Sequence, residues 1–236
     1  MIVLGNQPPM SREPHRSLFY LYLENVGLDG LWKAIVAENK AGKLGYHNNE
    51  HLFGMAHIAR DLAMAEGVES DGSWMKVIVT AALIHDVNHA GSGKRADVDN
   101  IREAIRWFDG YMSRLPSDTA ESNFFITFGE RIKESIKVTE FPFVHQPKNQ
   151  VEQILRDADL LWSYQREAHR IVNYCLYGEV SEGKGEAIKH EDWFAYNAEF
   201  YRTCTFFTTS GRRVTDHLRD HLITLIKPST NNRQPK

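Results

Sequence analysis

Two short segments, Tyr46-His47-Asn48-Asn49-Glu50-His51 and His85-Asp86-Val87-Asn88-His89, bring imidazoles and carboxylate together in a chain of 236 residues. Five of the eleven histidines lie between positions 47 and 89, and four of those five are in these two segments. Imidazole and carboxylate are the ordinary ligands of hydrolytic divalent metals. Downstream, Ile154-Leu155-Arg156-Asp157-Ala158-Asp159-Leu160-Leu161-Trp162 offers a further carboxylate. Cys175 and Cys204 are the only cysteines, which argues against a thiolate zinc site and a disulfide framework. Nitrogen and oxygen ligands alone admit one or two divalent ions, Mn, Mg, Fe, Co, Ni or Zn.

Each position has a chemical and a structural reading. His47 and His51 are four apart, so on a helix they share one side. Asn48 and Asn49 favour a helix start, placing His47 in the cap region and His51 in the first turns. The alternative is a surface histidine followed by a packed one. His85 and Asp86 are adjacent, so both reach one ion only at a helix end or where the backbone leaves regular geometry. A carboxylate after the apolar run Val77–Ile84 is costly unless paired or metal-bound. The competing reading is a capping aspartate beside a core histidine. His89 suits ligation, outer support of a second ion, or local packing.

Asp157 and Asp159 stand about 200° apart on a helix, so one of them faces an ion, and periodicity does not choose. The other could support the imidazoles from outside the ligand set. An ion pair with Arg156 or Arg166 is the structural alternative for both. Lys94 and Arg95, beyond the loop Ala90-Gly91-Ser92-Gly93, are candidates to meet phosphate oxygens or simply to solvate a turn. Asp97, Asp99 and Glu103 open the next helix, as an outer ring near a second ion or as a charged cap.

The elements that must position these residues follow the helical period almost throughout. The pattern predicts helix over 18–39 with a break near Gly27–Gly30, then over 51–66 with Gly67 as a stop. Ser73 reads as the cap of a helix ending near Ile84. Further helices are expected over 97–111, 129–138, 151–164, 169–177, 192–208 and 215–226. Glu182-Gly183-Lys184-Gly185 reads as a loop. The β-branched run around Val77 is too deeply embedded in helical pattern to predict a strand. An all-α, compact helical bundle follows, as one domain over 1–226 with a flexible tail over 227–236.

The order His51, His85-Asp86 and a later Asp resembles the HD superfamily of metal-dependent phosphohydrolases. Within it, Tyr46-His47-Asn48-x-x-His51 with His85-Asp86-x-x-His89-x-Gly91 is similar to the signature of class I cyclic-nucleotide phosphodiesterases. The resemblance covers about 45–165, roughly half of the chain. It implies that His51, His85, Asp86 and Asp159 hold the first metal and that Asp86 bridges to a second. It also implies that His47 protonates the leaving oxygen and His89 contacts the second ion's water. The resemblance, not helical phase, selects Asp159, leaving Asp157 and Asp99 for outer support. Two departures stand out: Ser92, Gly93 and Lys94 replace the expected early Asn, and only Gln165 and Gln234 follow Asp159. Small HD proteins acting on nucleotides are an equally good home.

The expected activity is hydrolysis of a phosphoester in a nucleotide or cyclic nucleotide by metal-activated water. A nucleoside mono- or triphosphate hydrolase is the alternative, and a non-catalytic nucleotide-sensing module a second one. A formal charge of −3 supplies no global attraction to a nucleic acid polymer. No apolar stretch approaches a membrane span and Met1–Gly5 lacks a basic leader, so a cytoplasmic protein is expected. The aromatic series Trp193, Phe194, Tyr196, Phe200, Tyr201, Phe206 and Phe207 reads as core, as the face of a homodimer, or as a base pocket.

Overall fold

The computed structural model describes residues 13–164 and 170–226, and among these described residues ten α-helices have both ends defined. They are α1 (Glu13–Asn25), α2 (Asp29–Glu38), α3 (Asn49–Ala65), α4 (Ser73–Ile84), α5 (Asp97–Arg114) and α6 (Ala120–Ile136). After these come α7 (Gln150–Trp162), α8 (Tyr177–Lys184), α9 (His190–Thr203) and α10 (Thr209–Ile226). A π-helical turn, Ile171–Leu176, leads into α8. Among the described residues there is no strand, and the helices form a compact bundle. Nor is any helix among them long and apolar enough to cross a membrane. Gln165, Arg166, the expected helix start at His169 and the segment 227–236 lie outside the described residues.

α4 is the centre. Met75 and every residue from Val77 to Ile84 are buried, so beyond its first turn this helix has no solvent face and must be enclosed by others. α3 and α7 pack against it and each other, and α6 covers a further side. The three helices carrying the histidines and late aspartates are thus the three that share the core.

Close approach of α3 to α7 depends on Gly54. A Cβ there would stand 2.0 Å from Trp162 Cζ3, so the indole lies directly on the glycine backbone. Gly54→Ala is therefore expected to cost about 1–3 kcal/mol by overpacking. Urea denaturation reads it, and an unchanged midpoint would show that the indole moves aside freely.

The boundaries differ from the sequence expectation in two useful places. α6 begins at Ala120, nine residues before the expected 129, because Thr119 Oγ1 accepts from Ser122 N at 3.0 Å and starts the helix there. The run Phe124-Phe125-Ile126-Thr127-Phe128 hides that start by blurring the apolar stripe. α8 runs to Lys184, through three of the four residues expected to be loop. Its Gly183 is there for contact: a Cβ would fall 1.7 Å from Ser92 O, so α8 rests on the loop after the second histidine motif.

Candidate metal centre

The first motif is set by a helix cap. Asn48 Oδ1 accepts from Glu50 N at 2.9 Å and His51 N at 3.2 Å, which starts α3 and leaves His47 just outside it. His51 sits one turn in, with none of its surface exposed. The second motif is set by a helix end. His85 is the C-cap of α4, and Val87 N and His89 N donate to Ile84 O and Asp86 O in a tight turn. Asn88 then takes a left-handed conformation, φ 62°, which asparagine tolerates better than most residues. Its side chain accepts from Lys40 N at 2.8 Å, and its own N–H donates to Asn39 Oδ1 at 2.8 Å. This pinned reversal turns His89 back toward His47, and the two rings stack at 3.8 Å.

Four donor atoms converge. His51 Nε2 lies 3.0 Å from His85 Nε2, 3.3 Å from Asp86 Oδ2 and 3.5 Å from Asp159 Oδ1. His85 Nε2 lies 3.2 Å from Asp86 Oδ2 and 3.7 Å from Asp159 Oδ1. His51, His85 and Asp159 each bring a ligand atom within 4.8 Å of the others and could hold an ion, and Asp86 Oδ2 stands beside both imidazoles. The donor set agrees. His85 Nδ1 donates to Ala82 O at 2.9 Å, which turns the lone pair of Nε2 toward the other three atoms. His51 Nδ1 is buried without a hydrogen-bond partner among the described residues.

Charge at the cluster is strongly coupled. Burial pushes the His85 imidazole down, but Asp86 and Asp159 outweigh it and hold it well above its usual range. Burial raises the Asp86 carboxyl, yet His85 and His51 carry it well below the ordinary value. His51 goes the other way: burial dominates and lowers it.

A second group, His47, His89 and Glu179, also has donor atoms within 4.8 Å of one another and could hold an ion. Its atoms are engaged in hydrogen bonds. Glu179 accepts from Tyr46 N at 2.9 Å, His47 N at 3.2 Å, Ser92 N at 2.9 Å and Ser92 Oγ at 3.2 Å. His47 Nδ1 also contacts Glu179 Oε1 closely, which leaves His47 Nε2 3.9 Å from Asp86 Oδ2. Burial opposes the His47 charge, but Glu179 and then Asp86 outweigh it and raise its pKa. The same contact outweighs burial at Glu179 and holds that carboxyl well below its usual value.

Sequence reasoning missed Glu179 because it is 132 positions from His47, in a segment expected to end as a loop. The available signal was periodic: Val172 and Leu176 form a stripe that Glu179 and Val180 continue, putting an acid at a buried phase. It also missed Asn100, whose Nδ2 donates to His89 Nε2 at 2.9 Å and whose Oδ1 accepts from Ala90 N at 3.1 Å.

Other expected residues stand elsewhere. Asp157 is fully buried but points to the start of α10, accepting from Phe207 N at 2.9 Å and from Thr208 N and Oγ1, each at 2.7 Å. Asp99 forms a surface pair with Arg102 at 2.7 Å. Lys94 pairs with Glu182 at 2.5 Å, whereas Arg95 lines the cavity described next. Arg156 makes no ion pair with Asp157 or Asp159; both its bonds go to backbone carbonyls.

Asp157→Ala is expected to cost about 1–3 kcal/mol through the lost cap while keeping the metal. Asp159→Asn should do the reverse. Denaturation and elemental analysis of both variants decide it; loss of metal in Asp157→Ala with retention in Asp159→Asn would invert the assignment.

A cavity of about 820 Å³ opens on the cluster, within the size range of small-molecule sites. His47, Asp86, His89 and Asp159 contribute to its wall. Phe141, Phe143, Trp193, Tyr196, Phe200 and Tyr201 make another part of it aromatic. Four of the seven residues in the aromatic series read from the sequence are therefore cavity residues, while Phe206 is in the core. Compared with known proteins, the chain is matched by no family model, no curated protein and no solved structure.

Proposed function

We propose that this protein is a metal-dependent phosphohydrolase of the HD type, cleaving a phosphoester bond in a nucleotide or cyclic nucleotide. The observation that carries the reading is the group His51, His85 and Asp159, whose ligand atoms lie within 4.8 Å of one another, with Asp86 Oδ2 within 3.3 Å of both imidazoles.

A divalent ion held by these four residues supplies positive charge to phosphoryl oxygens and lowers the pKa of water. The remaining chemistry belongs to the chain. His47 is the proton donor to the departing oxygen, from Nε2, the nitrogen on the Asp86 side. Glu179 fixes the ring through Nδ1 and favours its charged form. Asp86 and Asp159 line the cavity, whereas His51 and His85 lie behind them with at most 1% of their surface exposed. Substrate therefore meets the carboxylate side of the cluster. The aromatic wall suits the planar base of a nucleotide-like small molecule.

Hydrolysis of nucleoside mono- or triphosphates is the second reading. Arg95 and Lys184 both line the cavity without an acidic partner among the described residues, which suits additional phosphate charge. A screen of cyclic, mono- and triphosphate nucleotides with Mn, Mg, Fe, Co, Ni or Zn, with products identified, tests both. Hydrolysis of a cyclic nucleotide or other phosphodiester supports the first, and release of phosphate or pyrophosphate from linear nucleotides the second. Binding without turnover under every metal would make the protein a sensing module.

A further inference from the structure

Among the described residues Arg156 is the largest fully buried side chain, only 2% exposed, and no carboxylate among them pairs with it. Burial disfavours its charge, Asp159 and Asp157 favour it through space, and neighbouring dipoles must offset the rest. Here they come from one segment. Arg156 Nε donates to Val138 O at 2.5 Å, its terminal nitrogen donates to His145 O at 2.8 Å, and its guanidinium lies 3.8 Å from the centre of the Phe143 ring. Residues 138–145 include Phe141 and Phe143 of the cavity wall, which meet Phe200 at 6.2 and 6.4 Å between ring centres.

A second anchor comes from the opposite half of the site. Asp97 Oδ2 accepts from Phe141 N at 2.7 Å, while its Oδ1 lies 3.4 Å from His89 Nε2. Arg156 stands three residues before Asp159 on α7. One wall segment is thus tied to the helix of a candidate metal ligand and to the partner of a motif histidine.

We infer that Arg156 is a positioning residue for substrate: it holds the 138–145 segment so that Phe141, Phe143 and Phe200 form a corner that receives a planar ring. This rests on the nucleotide reading above, which supplies the ring. A guanidinium can hold both carbonyls and stack on Phe143 at once, whereas a lysine ammonium lacks the planar fork. Arg156→Lys therefore keeps the charge and loses the geometry.

Binding of the four common ribonucleosides and of inorganic phosphate is measured by equilibrium dialysis, alongside metal content and thermal midpoint, for the full chain and for Arg156→Lys. Nucleoside affinity is expected to fall about tenfold, within what base–aromatic stacking supplies, with phosphate binding and metal content unchanged. Asp97→Ala, which removes the acceptor of Phe141 N and loosens that residue from the other side, should weaken nucleosides in the same direction and serves if Arg156→Lys does not fold. A lower thermal midpoint with unaltered nucleoside binding overturns the inference and leaves Arg156 a structural anchor. So does equal loss of nucleoside and phosphate, or failure of the wild-type chain to bind any nucleoside. A selective loss of nucleoside in a protein that hydrolyses none of the screened nucleotides would keep this inference and reject the hydrolase reading.

Discussion

Asp86→Ala is expected to strip the bound metal and abolish hydrolysis. Among the described residues, Asp86 Oδ2 is the only carboxylate oxygen within 3.3 Å of both candidate imidazole ligands. Loss of an outer partner of a metal ligand typically costs 10- to 100-fold in affinity, so loss of a ligand shared this closely should exceed about 100-fold. Elemental analysis after dialysis against Mn or Zn, paired with turnover, measures both. Stoichiometric metal in Asp86→Ala would remove the quartet from the explanation.

The same substitution should change how stability depends on pH in metal-free protein. Asp86 sits well below its usual 3.8, so its contribution is present above that value and is lost as pH falls through the folded pKa. His85 sits well above 6.5, so its contribution is full below 6.5 and is lost as pH rises through the folded pKa. Their mutual attraction therefore stabilises most strongly between those reference values. Asp86→Ala should lower the thermal midpoint most between about pH 4 and 6.5. A uniform decrease across pH would reduce Asp86 to a packing role.

His47→Ala is expected to keep the metal and lose about 10²- to 10⁴-fold in rate on an alkyl phosphoester. The reason lies in the leaving group. An alkoxide needs a proton as it departs, whereas a nitrophenolate leaves with little help, so the deficit should shrink on a nitrophenyl phosphoester. Glu179→Gln should act more gently through the same ring. With the carboxylate gone, the raised His47 pKa falls, and the alkaline limb of the rate profile should move to lower pH. Leaving-group kinetics, metal content and pH profiles separate these effects. Equal loss on both substrates together with loss of metal would make His47 a ligand or a support.

Much of the His/Asp cluster was legible because it is local. Asn48 as a cap and the four-residue step from His47 to His51 are matters of backbone hydrogen bonding and helical pitch. Burial of His85 follows from the unbroken apolar run before it, since a helix with no polar face has to be enclosed. The all-helical architecture follows from the same periodicity. Starts and stops were less legible where aromatic or glycine-rich composition conceals them, as in α6 and α8.

Other features arise only when distant segments meet. Asp157 and Asp159 are the same residue type about 200° apart on one helix, and periodicity does not choose between them; the packing of α10 against α7 takes Asp157 as a cap and leaves Asp159 beside the imidazoles. Glu179 acquires its role because Gly183 allows α8 to rest on Ser92, bringing an acid 132 positions away onto His47. Lys94 and Arg95 are neighbours in the chain, yet one is taken by Glu182 and the other lines the cavity. Helix type, the Asn48 cap and the atoms available for ligation could be read from the chain, because those depend on contacts within a few residues, whereas the Ser73 cap expected for α4 is replaced by Gly72 without a side-chain bond. Tertiary structure alone decided which carboxylate faces which imidazole, because that choice is made by side chains competing across the core for the same few donors.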